Sequence, residues 1–187
     1  MLKEAVRILE QAPDETFRVN VNVSPRTLGD FKFLDLLDRL VTSSPIDPGR
    51  LTIEITETAI IVDVAGVQDA LRHIKGLGCR VALDDFGSGF TSFLHLKQLP
   101  VDDIKIDGSF VTGLCESAND QHLVRAMVEM ARGMSMGTTA EFVESQDALS
   151  LLGSFGVDTA QGYINGLPAP VDSLIAARKV PQSQSSE

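Results

Sequence analysis

Six short apolar, β-compatible runs, spaced roughly 20 to 35 residues apart and separated by helical patterns, constrain this chain to a parallel α/β architecture. They are Phe17 to Val23, Leu51 to Thr56, Arg80 to Leu83, Asp103 to Ile106, Thr138 to Phe142 and Thr159 to Tyr163. Between the second and third, Val64, Val67, Ala70, Leu71, Ile74 and Leu77 form one helical stripe, with Asp63 placed to cap its start and Gly78 to end it. Between the fourth and fifth, Leu123, Ala126, Met127, Met130, Ala131 and Met134 form another, from a helix beginning near Asn119 or Asp120. Its methionines read as packing rather than cofactor contacts. Leu2 to Gln11 sets Ala5, Val6 and Leu9 in helical register. Right-handed crossovers send the C-terminal ends of all such strands to one rim. The side chains at that rim therefore carry the function.

Those residues are Asn22, Glu54, Glu57, Asp84, Asp85, Lys105, Asp107, Glu141, Glu144 and Gln161. Each has a structural alternative: Asn22 as a cap, Glu57 and Glu144 as first-turn acids, Lys105 as a salt-bridge partner. Six successive strands ending in oxygen donors, amides or a lysine point instead to one shared site. Its centre is Asp84-Asp85-Phe86-Gly87-Ser88-Gly89. Two adjacent carboxylates at a strand end raise each other's pKa, and a shared hard cation such as Mg²⁺, Mn²⁺ or Ca²⁺ keeps both ionised. Gly87 and Gly89 permit a tight loop that would aim Ser88 and backbone N–H groups at an anionic ligand. A solvated Asp-Asp-Phe-Gly turn is the bland alternative. A kinase reading of Asp85-Phe86-Gly87 fails, because no Gly-rich loop, strand lysine or His-Arg-Asp motif precedes it. His73 and His122 fall on helix surfaces and His95 near a short helix, so none is assigned as a ligand.

The 187 residues, 43% of them hydrophobic, suffice for one substantial core. A formal charge of −10 argues against binding a nucleic-acid polymer, although bound cations could still bring in a small phosphate ligand. No apolar run of about 18 residues offers a membrane segment, and the start Met1-Leu2-Lys3-Glu4 lacks a signal-peptide pattern. Cys79 and Cys115 suggest neither a disulfide framework nor a zinc site, which fits a cytoplasmic location. Residues 1–172 read as one domain. Residues 173–187 read as a helix end and a disordered tail from Pro181 onward.

The motifs Val21-Asn22-Val23-Ser24, Glu54-Ile55-Thr56-Glu57-Thr58, Asp84-Asp85-Phe86-Gly87-Ser88-Gly89-Phe90, Leu99-Pro100-Val101-Asp102, Lys105-Ile106-Asp107-Gly108-Ser109-Phe110-Val111, Ala140-Glu141-Phe142-Val143-Glu144 and Gln161-Gly162-Tyr163 occur in this order. Together they resemble the EAL-domain family of bacterial cyclic-di-GMP phosphodiesterases, from near the start to about Pro170. The resemblance implies a TIM-like (β/α) barrel, here incomplete with about six βα units. It implies a two-metal Mg²⁺ or Mn²⁺ site, with Asn22, Glu54 and Asp84 matching the ligands of one ion and Asp84, Asp85 and Glu141 those of the other. Lys105 matches the lysine that contacts the attacking water. Glu57 matches the acid that anchors the loop of Gly87 and Ser88. Gln161 matches a glutamine near substrate and metal waters, and Glu144 the second acid of its motif.

The implied reaction is hydrolysis of cyclic-di-GMP to linear pGpG. Two divalent ions about 4 Å apart would generate hydroxide and offset phosphoryl charge. The implied partners are cyclic-di-GMP, a second copy in a homodimer, and GGDEF or sensor domains in a longer protein. The chain departs from the family in two places. The Glu-Ala-Leu tripeptide that names it does not occur, with only 21 residues preceding Asn22, so an N-terminal truncation is expected. Phe142 stands where the family form Ala-Glu-Gly-Val-Glu has glycine. The alternative function is a catalytically impaired module that binds cyclic-di-GMP or a protein.

Overall fold

Val19–Asn22 (β1), Leu51–Thr56 (β2), Arg80–Phe86 (β3), Asp103–Ile106 (β4), Gly137–Ala140 (β5) and Thr159–Ala160 (β6) pair in sequence order, every pair parallel. The sheet is a curled half-barrel with all strand C-termini at one rim. This computed structural model describes residues 1–12, 14–57, 64–89 and 93–179. The helices are Leu2–Gln11 (α1), Phe31–Ser43 (α2), Val64–Gly76 (α3), Ala118–Gly133 (α4), Gln146–Phe155 (α5) and Val171–Lys179 (α6), with shorter helical turns at Pro25–Leu28, Phe93–Leu96 and Gly108–Val111. Asp63, Thr58, Phe90 and the tail from Pro181 lie outside the described residues.

Local sequence explains the helix ends. Asp30 accepts from the Lys32 N–H at the start of α2, Ser117 from Asp120 in α4 and Ser145 from Ala148 in α5. Gly78 after α3 and Gly156 after α5 take left-handed φ values of 88° and 84°, which closes each helix at little steric cost.

The apolar layer lies between the outer face of the sheet and the helices. Ile53, Ile55, Val81, Leu83 and Ile104 are wholly buried, and Leu37 from α2 and Leu71 and Ile74 from α3 belong to the same cluster. Each such side chain contributes about 1.5–3 kcal/mol of transfer free energy. The alternate positions, Asn20, Asn22, Thr52, Glu54, Ala82, Asp84 and Lys105, face the inside of the half-barrel by register. That inner layer is polar, and Arg80 and Asp103 pair within it at 2.5 Å.

Several expectations change, and among them the first strand is confined to Val19–Asn22 and the sixth to Thr159–Ala160, shorter than the runs Phe17 to Val23 and Thr159 to Tyr163. The fifth strand starts at Gly137 and stops at Ala140, because Phe142 has a left-handed φ of 54°. The third runs to Phe86 rather than Leu83. In α4 the buried face is Val124, Val128 and Ala131, whereas Leu123 and Ala126 are exposed. Ser117 sets the start of α4, and the i, i+4, i+7 series from Val124 meets β4 and β5. Met127, Met130 and Met134 do pack against the core. Among the described residues, no helix is long and apolar enough to cross a membrane.

Candidate metal centre

Neighbouring residues of a regular strand point to opposite faces, so Asp84 and Asp85 could not share a site on an unbroken β3. A bulge brings them together. Leu83 pairs with Ile104 and Phe86 with Ile106, so β3 spends three steps where β4 spends two. Asp85 absorbs the extra residue at φ 55°, a left-handed conformation that aspartate tolerates better than bulky residues. Glu141 joins them one residue past β5, its N–H donating to the Ile106 carbonyl at 3.2 Å. One oxygen from each of Asp84, Asp85 and Glu141 lies within 4.8 Å of the others.

Lys105 reaches this cluster from β4. Its Nζ lies 2.8 Å from Asp84 Oδ1, 2.7 Å from Glu141 Oε1 and 3.3 Å from Glu54 Oε2. Lys105, Asp84, Glu54 and Glu141 are all buried. Burial opposes the charge on Lys105, but the hydrogen bonds it donates to Asp84 and Glu141 and the field of Glu54 outweigh it and hold the ammonium above the ordinary lysine range. Burial pushes the Asp85 carboxyl up, and Asp84 and Asp107 push it further. Glu141 is also raised, first by burial, with the Lys105 hydrogen bond pulling the other way. Four carboxylates around one ammonium leave three formal negative charges in a pocket of oxygen donors. Such a donor set suits hard divalent cations.

The remaining rim residues surround this core. Asn22 ends β1 in register with Glu54 and is exposed. Asn20, two positions earlier on the same face, donates from Nδ2 to Glu54 Oε1 at 2.7 Å. Asn20 is not among the rim residues that the sequence pattern picks out, although its period-two spacing from Asn22 signals the same face. Glu57 is buried and accepts the Gly87 N–H at 3.1 Å, while Gly89 passes so close that a Cβ there would overlap Glu57 Oε2. Gly87 has φ 99°, which a side chain would resist. Ser88 is exposed in this loop. Its Oγ donates to the Asp85 carbonyl at 2.8 Å, and this closes the turn that the bulge begins. Asp107 caps the turn Gly108–Val111 by accepting from Ser109 N–H at 2.9 Å. Glu144 and Gln161 line a cavity of about 220 Å³ with Glu141, Phe142, Gly162 and Tyr163, so it adjoins the carboxylate cluster through Glu141.

The sequence pattern described as the EAL domain matches residues 1–168. The chain belongs to the EAL-domain family. It is 34% identical, over 84% of its length, to the cyclic di-GMP phosphodiesterase PdeF of Escherichia coli (strain K12), and 38% identical, over 83%, to the cyclic di-GMP phosphodiesterase PdeB of Shewanella oneidensis. This EAL chain spans about a fifth of the length of those curated relatives, 21% and 18% respectively. Its fold superposes on the phosphodiesterase PaMucR in complex with c-di-GMP with a TM-score of 0.87 at 28% identity, covering 92% of this chain and 71% of that one. Against the EAL domain of Mycobacterium smegmatis DcpA the TM-score is 0.88 at 29% identity, covering 94% and 81%. The fold of this EAL chain is therefore TIM-like, with six of the βα units present.

Proposed function

We propose that this chain is the metal-binding body of a domain that hydrolyses cyclic-di-GMP to pGpG. The observation that carries the reading is the meeting of Asp84, Asp85 and Glu141 around the reach of Lys105, in a member of a family with named cyclic di-GMP phosphodiesterases. The donor set fits the implied cofactor. It is all oxygen, it carries excess negative charge, and burial raises two of its carboxyls, so that Mg²⁺ or Mn²⁺ would favour the ionised form.

Asp84, Asp85 and Glu141 would hold one ion, and Asn22, Glu54 and Asp84 the other. Divalent ions held there would lower the pKa of a coordinated water and offset charge on the phosphoryl oxygens. Lys105 keeps three of the carboxylates oriented and adds a positive charge that favours hydroxide over water nearby. Asn20 fixes the Glu54 carboxylate through its amide. Glu57 holds the backbone of the Gly87 to Gly89 loop, so the loop keeps Asp85 in its left-handed conformation. Gln161 and Glu144 line the adjoining cavity, where they would position ligand and water.

The greater length of the relatives supports further domains in the native protein; that these are of GGDEF or sensor type, and that the protein acts as a homodimer in the cytoplasm, belongs to the same proposal. The direct test is incubation with Mn²⁺ and cyclic-di-GMP followed by separation of pGpG. Lys105→Ala is expected to bind Mn²⁺ while losing about 100-fold or more in turnover, the scale of a proton-handling group. Wild-type hydrolysis in that variant would refute the role given to Lys105. Tight retention of cyclic-di-GMP by the unaltered chain without pGpG would favour the binding-module alternative.

A further inference from the structure

The turn that carries Asp85 is held by two kinds of contact, and only one of them is polar. Asp85 at φ 55° sits in a sparsely populated region of backbone space, which persists only where the surroundings enforce it. Glu57 accepts the Gly87 N–H at 3.1 Å, and the Ser88 hydroxyl closes the turn on the Asp85 carbonyl at 2.8 Å. The Cα of Gly87 is covered by hydrocarbon instead. A Cβ placed on it would fall 2.7 Å from Met127 Cε and 2.8 Å from Phe110 Cε2, so the ends of both side chains rest against this glycine.

Met127 reaches the turn from the helix layer. It stands on α4 and packs against both apolar clusters of the molecule, the one that contains Phe86 and the one that contains Ile106 and Val111. Phe110 belongs to the helical turn after β4 and packs on the second cluster. An unbranched thioether suits such an irregular gap, because a bulkier side chain would push Gly87 and a shorter one would leave it uncovered. Lys105 orients Asp84 and Glu141, but Asp85 takes its position from the backbone of the bulge and its turn. What covers Gly87 therefore bears on where the Asp85 carboxylate stands relative to the other two.

We propose that Met127 is a positioning residue for the metal centre: its terminal methyl, set against Gly87, fixes the turn and through it the Asp85 carboxylate for a divalent ion. This inference rests on the metal-binding reading above and adds to it a point of control in the helix layer. Loss of a contact that orients a metal ligand lowers metal affinity about 10- to 100-fold.

The test measures Mn²⁺ affinity by calorimetry, and urea stability in EDTA, for the full chain and four variants. Met127→Ala and Met127→Val withdraw the terminal methyl to different extents, and both are expected to bind Mn²⁺ about tenfold more weakly. Met127→Val keeps more of the packing, so it carries the comparison if Met127→Ala does not fold. Met127→Leu conserves the apolar volume against Gly87 and is expected to stay within about twofold of the unaltered chain. Met130→Ala separates positioning from stability. Met130 packs on the core from the same helix, about 4.5 Å further along its axis and away from the rim. Its truncation is expected to lower the urea midpoint as Met127→Ala does, with Mn²⁺ affinity unchanged.

Unchanged Mn²⁺ affinity in Met127→Ala and Met127→Val would overturn the positioning role while leaving the functional reading intact. Equal losses of affinity in Met127→Ala and Met130→Ala would also overturn it, because affinity would then be following the stability of the fold. No Mn²⁺ binding by the unaltered chain would overturn the functional reading, and the positioning role with it.

Discussion

Lys105→Met removes one buried ammonium from between three carboxylates, 2.8 Å from Asp84, 2.7 Å from Glu141 and 3.3 Å from Glu54, while keeping most of the aliphatic stem. Removing one partner from a buried ion pair costs about 3–5 kcal/mol, because the other charge is left uncompensated. Three carboxylates lose a common partner here, but Glu54 retains the Asn20 amide and the others can take up protons, so the expected loss stays within about 3–5 kcal/mol. For a domain of this size that lowers Tm by roughly 6–20 °C. A divalent cation competes with the lysine for the same oxygens, so Mn²⁺ should stabilise the variant more than the unaltered protein. At about 100 times its dissociation constant it would return about 2.7 kcal/mol. The lysine's contribution has a defined pH dependence: it is fully present below the unfolded value of about 10.4 and is lost as pH rises through the raised folded value. Urea and thermal unfolding followed by far-UV circular dichroism, in EDTA and in Mn²⁺ at neutral pH and again as pH is raised above about 10.4, measure these quantities. A variant within about 1 kcal/mol of the unaltered protein in EDTA, or equal stabilisation of both by Mn²⁺, would refute this account of the site.

Two further outcomes follow from the bulge and from burial. Asp85→Asn keeps a side chain that tolerates φ 55° and removes only the charge, so Mn²⁺ affinity measured by calorimetry should fall at least about tenfold with little change in urea stability. Asp85→Val adds a backbone penalty of about 1–2 kcal/mol, and equal stability of the two variants would show that the bulge imposes no strain. Burial pushes the Cys79 thiol up from 9.0 to about 11, whereas Cys115 is exposed. A disulfide reagent at pH 8 should therefore titrate one thiol in the native chain and two after unfolding. Because the unfolded Cys79 loses its proton first, its linkage term lowers stability by about 1.4 kcal/mol per pH unit as pH rises from 9.0 to about 11. Two reactive thiols in the native chain would contradict the burial.

Much of this was legible in the sequence because period-two and period-3.6 patterns report burial directly. The runs around Ile53, Val81 and Ile104 placed three strands, and Val67, Leu71 and Ile74 placed the buried face of α3. The face of α4 was misjudged because Leu123 and Ala126 fit a helical stripe as well as Val124 and Val128 do, and only the sheet decides which stripe is covered. The carboxylate cluster was legible as a list of rim residues, but its geometry was not. An alternating strand predicts that Asp84 and Asp85 diverge, and the one-residue slip against β4 that makes them converge depends on pairing between segments distant in sequence. The hydrogen bond of the Ser88 hydroxyl was not legible for a related reason, since it serves the turn that this slip creates. Asn20 was hidden by its neighbour Asn22, because either amide satisfies the pattern and only register with Thr52 and Glu54 separates their roles.

The division of the sheet into an apolar outer layer and a polar inner one explains why such a site can exist in a marginally stable molecule. Ile53, Ile55, Val81, Leu83 and Ile104 supply burial on the side away from the chemistry, so the inner positions are free to carry groups that repel one another. Lys105 is the exception, because it stands in the inner layer and holds three of the repelling carboxylates in place. Asp85→Asn, which keeps the backbone conformation, and substitutions at the exposed Gln161 should then act on ligand binding and chemistry with small effects on stability. Substitutions at Lys105 should act on both. That coupling is the reason the stability of Lys105→Met, measured with and without a divalent cation, reports on the site itself rather than on the fold at large.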